Sequence, residues 1–403
     1  MESHFEMVSM PRWIFFGFRT IYIVNSVTEN FVGMRILVFN KKLDSYEISK
    51  PKLIYFIIFN GCLVSYFPFS VYRIFGALPL NHNRLVTFTL FIMTIFLFII
   101  SLTMLVRHLT DLKRRRNMFN QSLKFFNQVR DMLIDYESDL KIVLWFIYLR
   151  IGICQICSII LTLTNINEVV SAFNYQLMVH FIIVSVPYLI QNAILSNFFA
   201  ALLRIYFFFR QINRNLEHIA QKLKDNRDLT EYQRITLCCE LSDFVDRLAF
   251  SHRSLCQSTK DLLYLYSLQI LFCLLTLFFG IVFQTYFVVL WIKLFFGGFI
   301  EGYSGSLSAT FFIITAFTEL LLQGIVSSKL NFESARAGKL LHKISVVNTD
   351  VRLQRSVHTF SLQIIQETAK VSICGFFNLD IPFISSVSKN IFLEIILITK
   401  EWS

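Results

Sequence analysis

LVTFTLFIMTIFLFIISLTMLV, residues 85 to 106, runs directly into RHLTDLKRRR, residues 107 to 116. The first stretch carries no charge, and a helix needs roughly 20 apolar residues to cross the hydrocarbon of a bilayer. The second sets Arg107, Lys113, Arg114, Arg115 and Arg116 at one end of that helix. Basic residues flanking a membrane helix stay on the cytoplasmic side, so this segment reads as a crossing whose C-terminal end lies inside. The block KRRR is a topology determinant here; its other reading is a patch for anionic lipid or nucleic acid.

The same apolar window recurs along the chain. Crossings are expected at Leu53 to Phe75, Leu85 to Val106, Ile142 to Thr164, Leu177 to Phe209, Leu262 to Lys293, Leu307 to Leu330 and Ile381 to Thr399. With 55% hydrophobic residues, 45 Phe and 16% charged residues in 403, the chain has more apolar surface than one water-soluble core can hide. The expected class is all-α, a polytopic protein with seven transmembrane helices. The fourth and fifth stretches are long enough to tilt or to continue into water as helix.

Charge then orients the bundle. The segments 1–52, 107–141, 210–261 and 329–380 hold 31 of the 38 Lys and Arg, whereas 165–176 and 294–306 hold none. The amino terminus is therefore expected in the cytoplasm and, after seven crossings, the carboxyl terminus outside. That is opposite to a G-protein-coupled receptor, and neither an Asp-Arg-Tyr after the third span nor an Asn-Pro-x-x-Tyr in the seventh is present. Glu2 and Glu6 ahead of a short WIFFGF run do not make a cleavable leader. Residues 12 to 39 read as an interfacial or re-entrant amphipathic element.

The basic connections are not linkers. Residues 119–140, 212–223, 229–257 and 335–347 show helical apolar spacing with almost no Gly or Pro. They are expected to continue the spans as helices and to pack as an intracellular helical domain, covering either their own subunit or an oligomer interface. The Cys154-x-x-Cys157 pair lies in an apolar helix and reads as packing. No phosphate-binding loop, zinc-protease helix, serine elbow or dinucleotide fingerprint occurs, and the eight His are scattered. Neither an enzyme, a metal site, a cofactor nor a nucleic-acid partner is expected; receptor, channel and transporter remain.

TFSLQIIQETAKVSICGFFNLD (359–380), followed by LEIILITKEW (393–402), resembles the insect gustatory receptor family. Phe360, Ser361, Leu362 and Gln363 match that family's Phe-Ser-Leu-Gln, and Cys374, Gly375 and Phe377 match its Cys-Gly-x-Phe. The family's closing Thr-Tyr, five apolar residues and Gln-Phe are here Leu393-Glu394, Ile395 to Thr399, and Lys400-Glu401. The resemblance implies a tetrameric, tastant-gated, non-selective cation channel in the plasma membrane of a sensory neuron. It also implies an organisation: a cytoplasmic segment 1–52 and a six-helix ligand-binding bundle 53–330 with extensions 107–141 and 210–261. A cytoplasmic anchor 331–380 and a pore-lining last helix 381–403 complete it. Its partners would be a small-molecule tastant, membrane lipid, and like or unlike subunits completing a homo- or hetero-tetramer. The altered ending also allows a non-conducting accessory subunit, and buried charge allows a secondary transporter, although no internal repeat is visible.

In that setting Asn390, Glu394, Leu397 and Glu401 form one helical stripe, flanked by Ser386 and Leu393, with Lys400 at the edge. Glu394 either faces a water-filled axis as one of a ring or pairs across subunits with Lys389. Leu397 is the expected constriction, because apolar rings close pores by dewetting. For the ligand, the outer halves of the spans offer Tyr188, Gln191 and Asn192 behind Pro187, then Gln284, Tyr286 and Trp291, then Thr310 and Thr315. Each also reads as ordinary interhelical glue. An ion pair from Arg150 or Arg204 to Glu319 is expected in the inner halves.

Overall fold

The computed structural model describes residues 26–77, 84–129, 132–133, 136–150, 154, 175–225, 230–296, 304–345 and 350–400. A hairpin of β1 (Leu37–Asn40) and β2 (Ser45–Ile48) opens it. Then come α1 (Lys50–Ala77), α2 (Arg84–Thr110), α3 (Leu112–Val129), α4 (Tyr136–Leu149), α5 (Tyr175–Asp225), α6 (Glu231–Phe296), α7 (Ser304–Ser345) and α8 (Val351–Gln366). A second hairpin, β3 (Ser372–Ile373) and β4 (Phe377–Asn378), precedes α9 (Ile381–Lys400).

Among the described residues, five helices are long and apolar enough to cross a membrane: Lys50–Gly76, Phe91–Thr110, Ile182–Asp225, Glu231–Val289 and Ala309–Ile344. The expected third crossing begins in α4 and passes at residue 151 outside the described residues. The expected seventh coincides with the 20 residues of α9.

The expected helical extensions are present. α5 runs unbroken for 51 residues, α6 for 66 and α7 for 42, so each carries its apolar span straight into a charged segment. α5 is the central post, packed against α1, α2, α4, α6 and α7. Its fully enclosed Phe198, Phe209 and Leu216 lie at the centre of the core. Beyond the apolar part, polar contacts fix the register. Asn213 Nδ2 donates to the Glu333 carbonyl and carboxylate at 2.8 and 2.6 Å. Asp139, itself buried, accepts from Arg210 at 2.6 Å, Arg214 at 2.8 Å and Gln211 at 2.8 Å.

Three local departures from the sequence reading have physical causes. Residues 119–140 do not form one helix: α3 ends at Val129 and α4 begins at Tyr136, and the Met132 carbonyl freed between them is taken by Asn215 Nδ2 at 2.9 Å. The amphipathic element at 12–39, of which 12–25 lies outside the described residues, ends in a tight turn and β1. Gly33 permits this at φ 76°, where a side chain would press on the Phe56 backbone at 3.2 Å. Third, the Cys-Gly of the terminal motif is a hairpin turn. Cys374 and Gly375 have φ of 51° and 75°, and Phe376 N donates to the Ile373 carbonyl, which together make the mirror-image turn that suits strand twist. A Cβ on Gly375 would meet nothing, so its backbone angle and not space requires glycine.

The rest of that motif closes the helical extensions. Phe360 is fully buried in a T-shaped contact with His252, which makes a second T-shaped contact with Phe209. Gln363 Nε2 donates to the Ala249 carbonyl at 2.9 Å. His252 Nε2 donates to the Ser334 carbonyl at 3.1 Å, and the Cys256 thiol lies 3.7 Å from Nδ1. His252 therefore ties α5, α6, α7 and α8 together on the part of α6 that precedes its apolar span. Burial pushes its pKa below 6.5, against smaller opposing effects of the Ser334 hydrogen bond and Glu367. An unfolded chain takes up a proton there once pH falls below about 6.5, and the fold resists it. Stability is thus complete above that value and declines below it. Unfolding of detergent-solubilised protein is expected at progressively lower temperature as pH drops through this window. His252→Gln, which keeps a donor for Ser334 and cannot titrate, is expected to flatten the decline.

Candidate functional site

Pro187 sits inside α5 and removes one backbone donor from the helix. Below it, Asn192, Ser196 and Phe199 share one stripe of α5, and Glu319 and Gln323 share one stripe of α7. Arg150, at the end of α4, is delivered between them. Its guanidinium donates through Nε and Nη2 to Glu319 Oε1 at 3.2 and 3.1 Å, through Nη1 to the Ser196 hydroxyl, and reaches Asn192 Oδ1 at 3.4 Å. Its Cζ lies 5.6 Å from the Phe199 ring centre. Arg150 is 1% exposed and Glu319 4%, so each charge depends on the other for its solvation.

Glu319 Oε1 accepts a further bond from Gln323 Nε2 at 2.9 Å, while Oε2 is buried and without a hydrogen-bond partner among the described residues. Gln323 Oε1 and Gln191 Oε1 are in the same state, and Gln269 is unpartnered at both ends of its amide. Gln191 Nε2 donates to the Cys273 carbonyl at 3.3 Å, and Gln323 Nε2 also donates to that of Leu195 at 3.1 Å. Buried polar atoms usually find partners, so a layer left mostly with spare acceptors suits water or a ligand that donates hydrogen bonds.

The expected pocket residues separate into two levels. Gln191 and Asn192 belong to the charged layer, with half-buried Tyr188 one turn above. Gln284 and Tyr286 stand on α6 about 16 and 20 Å further along the axis than Cys273, and Thr310 about 14 Å from Glu319 along α7, from 1.5 Å per residue. Gln284 is half-buried, Tyr286 buried and Thr310 exposed; the Trp291 side chain lies outside the described residues. α6 and α7 close together just below this upper level, where a Cβ on Gly280 would lie 2.7 Å from Phe312. Thr315 instead turns its carbonyl to the Cys154 thiol at 3.8 Å. The expected ion pair forms through Arg150; Arg204 takes no part in it. The sequence reading placed Asn192 in the outer half and Arg150 in the inner, yet the structure joins them. It also missed Ser196, Gln323 and Gln269, the first two of which their i, i+4 spacing to Asn192 and Glu319 could have revealed.

α9 is anchored by its base. Ile381 N donates to Ser328 Oγ at 3.0 Å, Phe383 N to Asp380 Oδ1 at 3.0 Å, and Phe383 stacks on Phe377 with ring centres 4.1 Å apart. Further along, Ser386 and Asn390 are exposed and Leu393 is 56% exposed. Glu394, Leu397 and Lys400 lie on α9, with side chains outside the described residues; Glu401 is wholly outside them.

Residues 32–397 match the family described as 7tm Chemosensory receptor. The chain is 26% identical over 209 residues to Putative gustatory receptor 94a of Drosophila melanogaster, an alignment spanning 50% of this chain and 52% of that protein. The fold matches the insect olfactory receptor OR5 from Machilis hrabei with a TM-score of 0.66 at 13% identity, covering 94% of this chain and 97% of that one. The same receptor in complex with eugenol gives 0.57 at 11% identity, covering 96% and 98%. With nearly its whole length matched, the chain belongs to the 7tm chemosensory receptor family.

Proposed function

We propose that the chain is a gustatory receptor subunit whose bundle takes a small-molecule tastant and whose last helix lines a non-selective cation pore shared by four subunits. In this reading the protein crosses the plasma membrane of a sensory neuron seven times with its amino terminus inside. Its helical extensions form the cytoplasmic anchor, and α9 stands at the central axis.

The observation that carries the reading is the state of α9. It is fixed at its base yet exposes Ile381 (53%) and Leu393 (56%) together with Ser385, Ser386, Lys389 and Asn390. A lipid-facing helix has no use for the four polar residues, whereas a helix between a wet axis and neighbouring subunits needs both kinds. Leu362, Ile365 and Phe376 are likewise exposed around the anchor, at 47%, 79% and 77%, and form an apolar surface suited to a neighbouring subunit. Eugenol in the related olfactory receptor is a small aromatic molecule, a class that Tyr188 and Tyr286 also suit.

The test is electrical recording from cells expressing the chain alone and with other gustatory subunits, against a tastant panel. Leu397→Ala is expected to raise current without tastant, since a smaller ring dewets less readily, and Glu394→Gln to lower the preference for divalent cations. Saturable uptake without unitary currents would instead make the protein a transporter. Current only on co-expression, unaltered by either substitution, would make it an accessory subunit.

A further inference from the structure

The KRRR block does more than set topology, because its four members have different fates. Arg114 pairs with Asp261 at 2.7 Å and lies 3.7 Å over the Tyr264 ring, and Arg107 pairs with Asp111 at 3.3 Å. Those two carboxylates are thereby used. Lys113 is exposed and Arg116 half-buried, and neither makes an ion pair among the described residues. Arg115 turns inward and is 5% exposed. Its Nη1 donates to the Tyr266 hydroxyl at 3.2 Å and its Cζ lies 4.9 Å from that ring, but Nε and Nη2 are buried without a partner among the described residues.

A buried guanidinium with two empty donor positions and no carboxylate is costly, because neither water nor an anion offsets its desolvation. The Tyr266 hydroxyl, having accepted from Arg115, keeps its own proton to give. Nε, Nη2 and this hydroxyl thus form a donor set with no acceptor, a match for an anion bearing several oxygens. Its position is specific as well. Leu102, Val106 and Leu109 on α2 are 38%, 48% and 39% exposed, and the same helical face continues into Lys113 and Arg116. This is an apolar stripe for acyl chains that ends in basic residues at headgroup depth.

We infer that Arg115 and Tyr266 form a binding site for the phosphate of an anionic phospholipid in the cytoplasmic leaflet, with Lys113 and Arg116 guiding the headgroup in. Opening the gap between α3 and α6 admits the phosphate oxygens, which take the places of the missing acceptors. The inference rests on the cytoplasmic placement of this end of α2 proposed above.

The full chain is reconstituted into nanodiscs of phosphatidylcholine alone, the same with phosphatidylinositol 4,5-bisphosphate, and the first supplemented with inorganic phosphate in solution. The anionic lipid is expected to raise Tm, and inorganic phosphate is not. Arg115→Gln is expected to weaken the apparent lipid affinity about tenfold, the scale of charge-assisted bonds lost from one guanidinium. The double variant Lys113→Gln, Arg116→Gln keeps the buried donors and is expected to retain most of the rise. Tyr266→Phe removes one donor, leaves the guanidinium and weakens the response less, which keeps the question open to measurement if Arg115→Gln does not fold. No rise, or a rise lost only in the double variant, would replace the site by general surface attraction. A rise with inorganic phosphate alone would assign it to a soluble anion, and a full response from Tyr266→Phe would remove the hydroxyl from it. None of these measurements uses a tastant or a current, so failure here is distinct from failure of the channel reading.

Discussion

Arg150→Ala is expected to destabilise the receptor by about 3 to 5 kcal/mol, the usual result of stripping one member from a buried ion pair. Glu319 Oε1 would lose two charge-assisted bonds and keep only Gln323, while Oε2 already has no partner. A carboxylate so placed is shielded from bulk solvent, since Glu319 is 4% exposed. The same substitution orphans the Ser196 hydroxyl and the Asn192 amide oxygen. Little folded protein should reach the cell surface, and what is recovered in detergent should unfold well below wild type. Arg150→Met with Glu319→Met removes both charges at similar volume and is expected to recover most of the loss. That double variant also separates two roles. If the pair only holds α4 to α7, the rescued protein responds to tastant at unchanged concentration; if the layer meets ligand, it folds and responds only at higher concentration. Wild-type stability in Arg150→Ala would mean that the two charges do not depend on each other.

The pair was legible from sequence because a charge inside an apolar run is rare enough to demand a partner, and Glu319 offered one to Arg150 and Arg204 alike. The choice between them was not legible. Arg204 and Arg150 sit on different helices, and only the arrangement of α4 beside α5 brings the second to Asn192 and Ser196. The long helices were readable for a related reason: segments such as 229–257 keep helical spacing outside the apolar run, and nothing breaks α6 at the boundary. The hairpins were not. Ser372–Ile373 and Phe377–Asn378 are two residues each, too short for a period-two pattern, and their turn depends on Cys374 accepting φ 51°, which no propensity favours. Arg115 shows the converse limit, since four consecutive basic residues look alike until burial distinguishes one of them.

Gly324→Ala is the second large effect, and it reports on how the charged layer reaches the last helix. Gly324 follows Gln323 directly, and a Cβ there would lie 2.6 Å from Ile384 Cγ1 and 3.4 Å from the Asp380 carbonyl. Ile384 is 3% exposed in the first turn of α9, so its branched side chain cannot give way by swinging into solvent. One turn on, Ser328 Oγ takes the Ile381 N–H. The stretch Glu319 to Ser328 of α7 therefore meets the buried ion pair at one end and the base of α9 at the other. Alanine favours helix over glycine by about 1 kcal/mol, but overpacking costs about 1 to 3 kcal/mol, so a net loss and an outward shift of α9 are expected. Gly338→Ala on the same helix supplies the comparison, because its Cβ would sit 3.6 Å from Ile364 in ordinary contact, and it should be neutral or slightly stabilising. Thermal unfolding separates the two substitutions. Recording then asks whether Gly324→Ala also changes current without tastant, as it must if the base of α9 sets the state of the pore. Equal stabilisation by both alanines would mean that α9 does not rest on Gly324, and the proposed pore would then have to be linked to the charged layer through α6 instead.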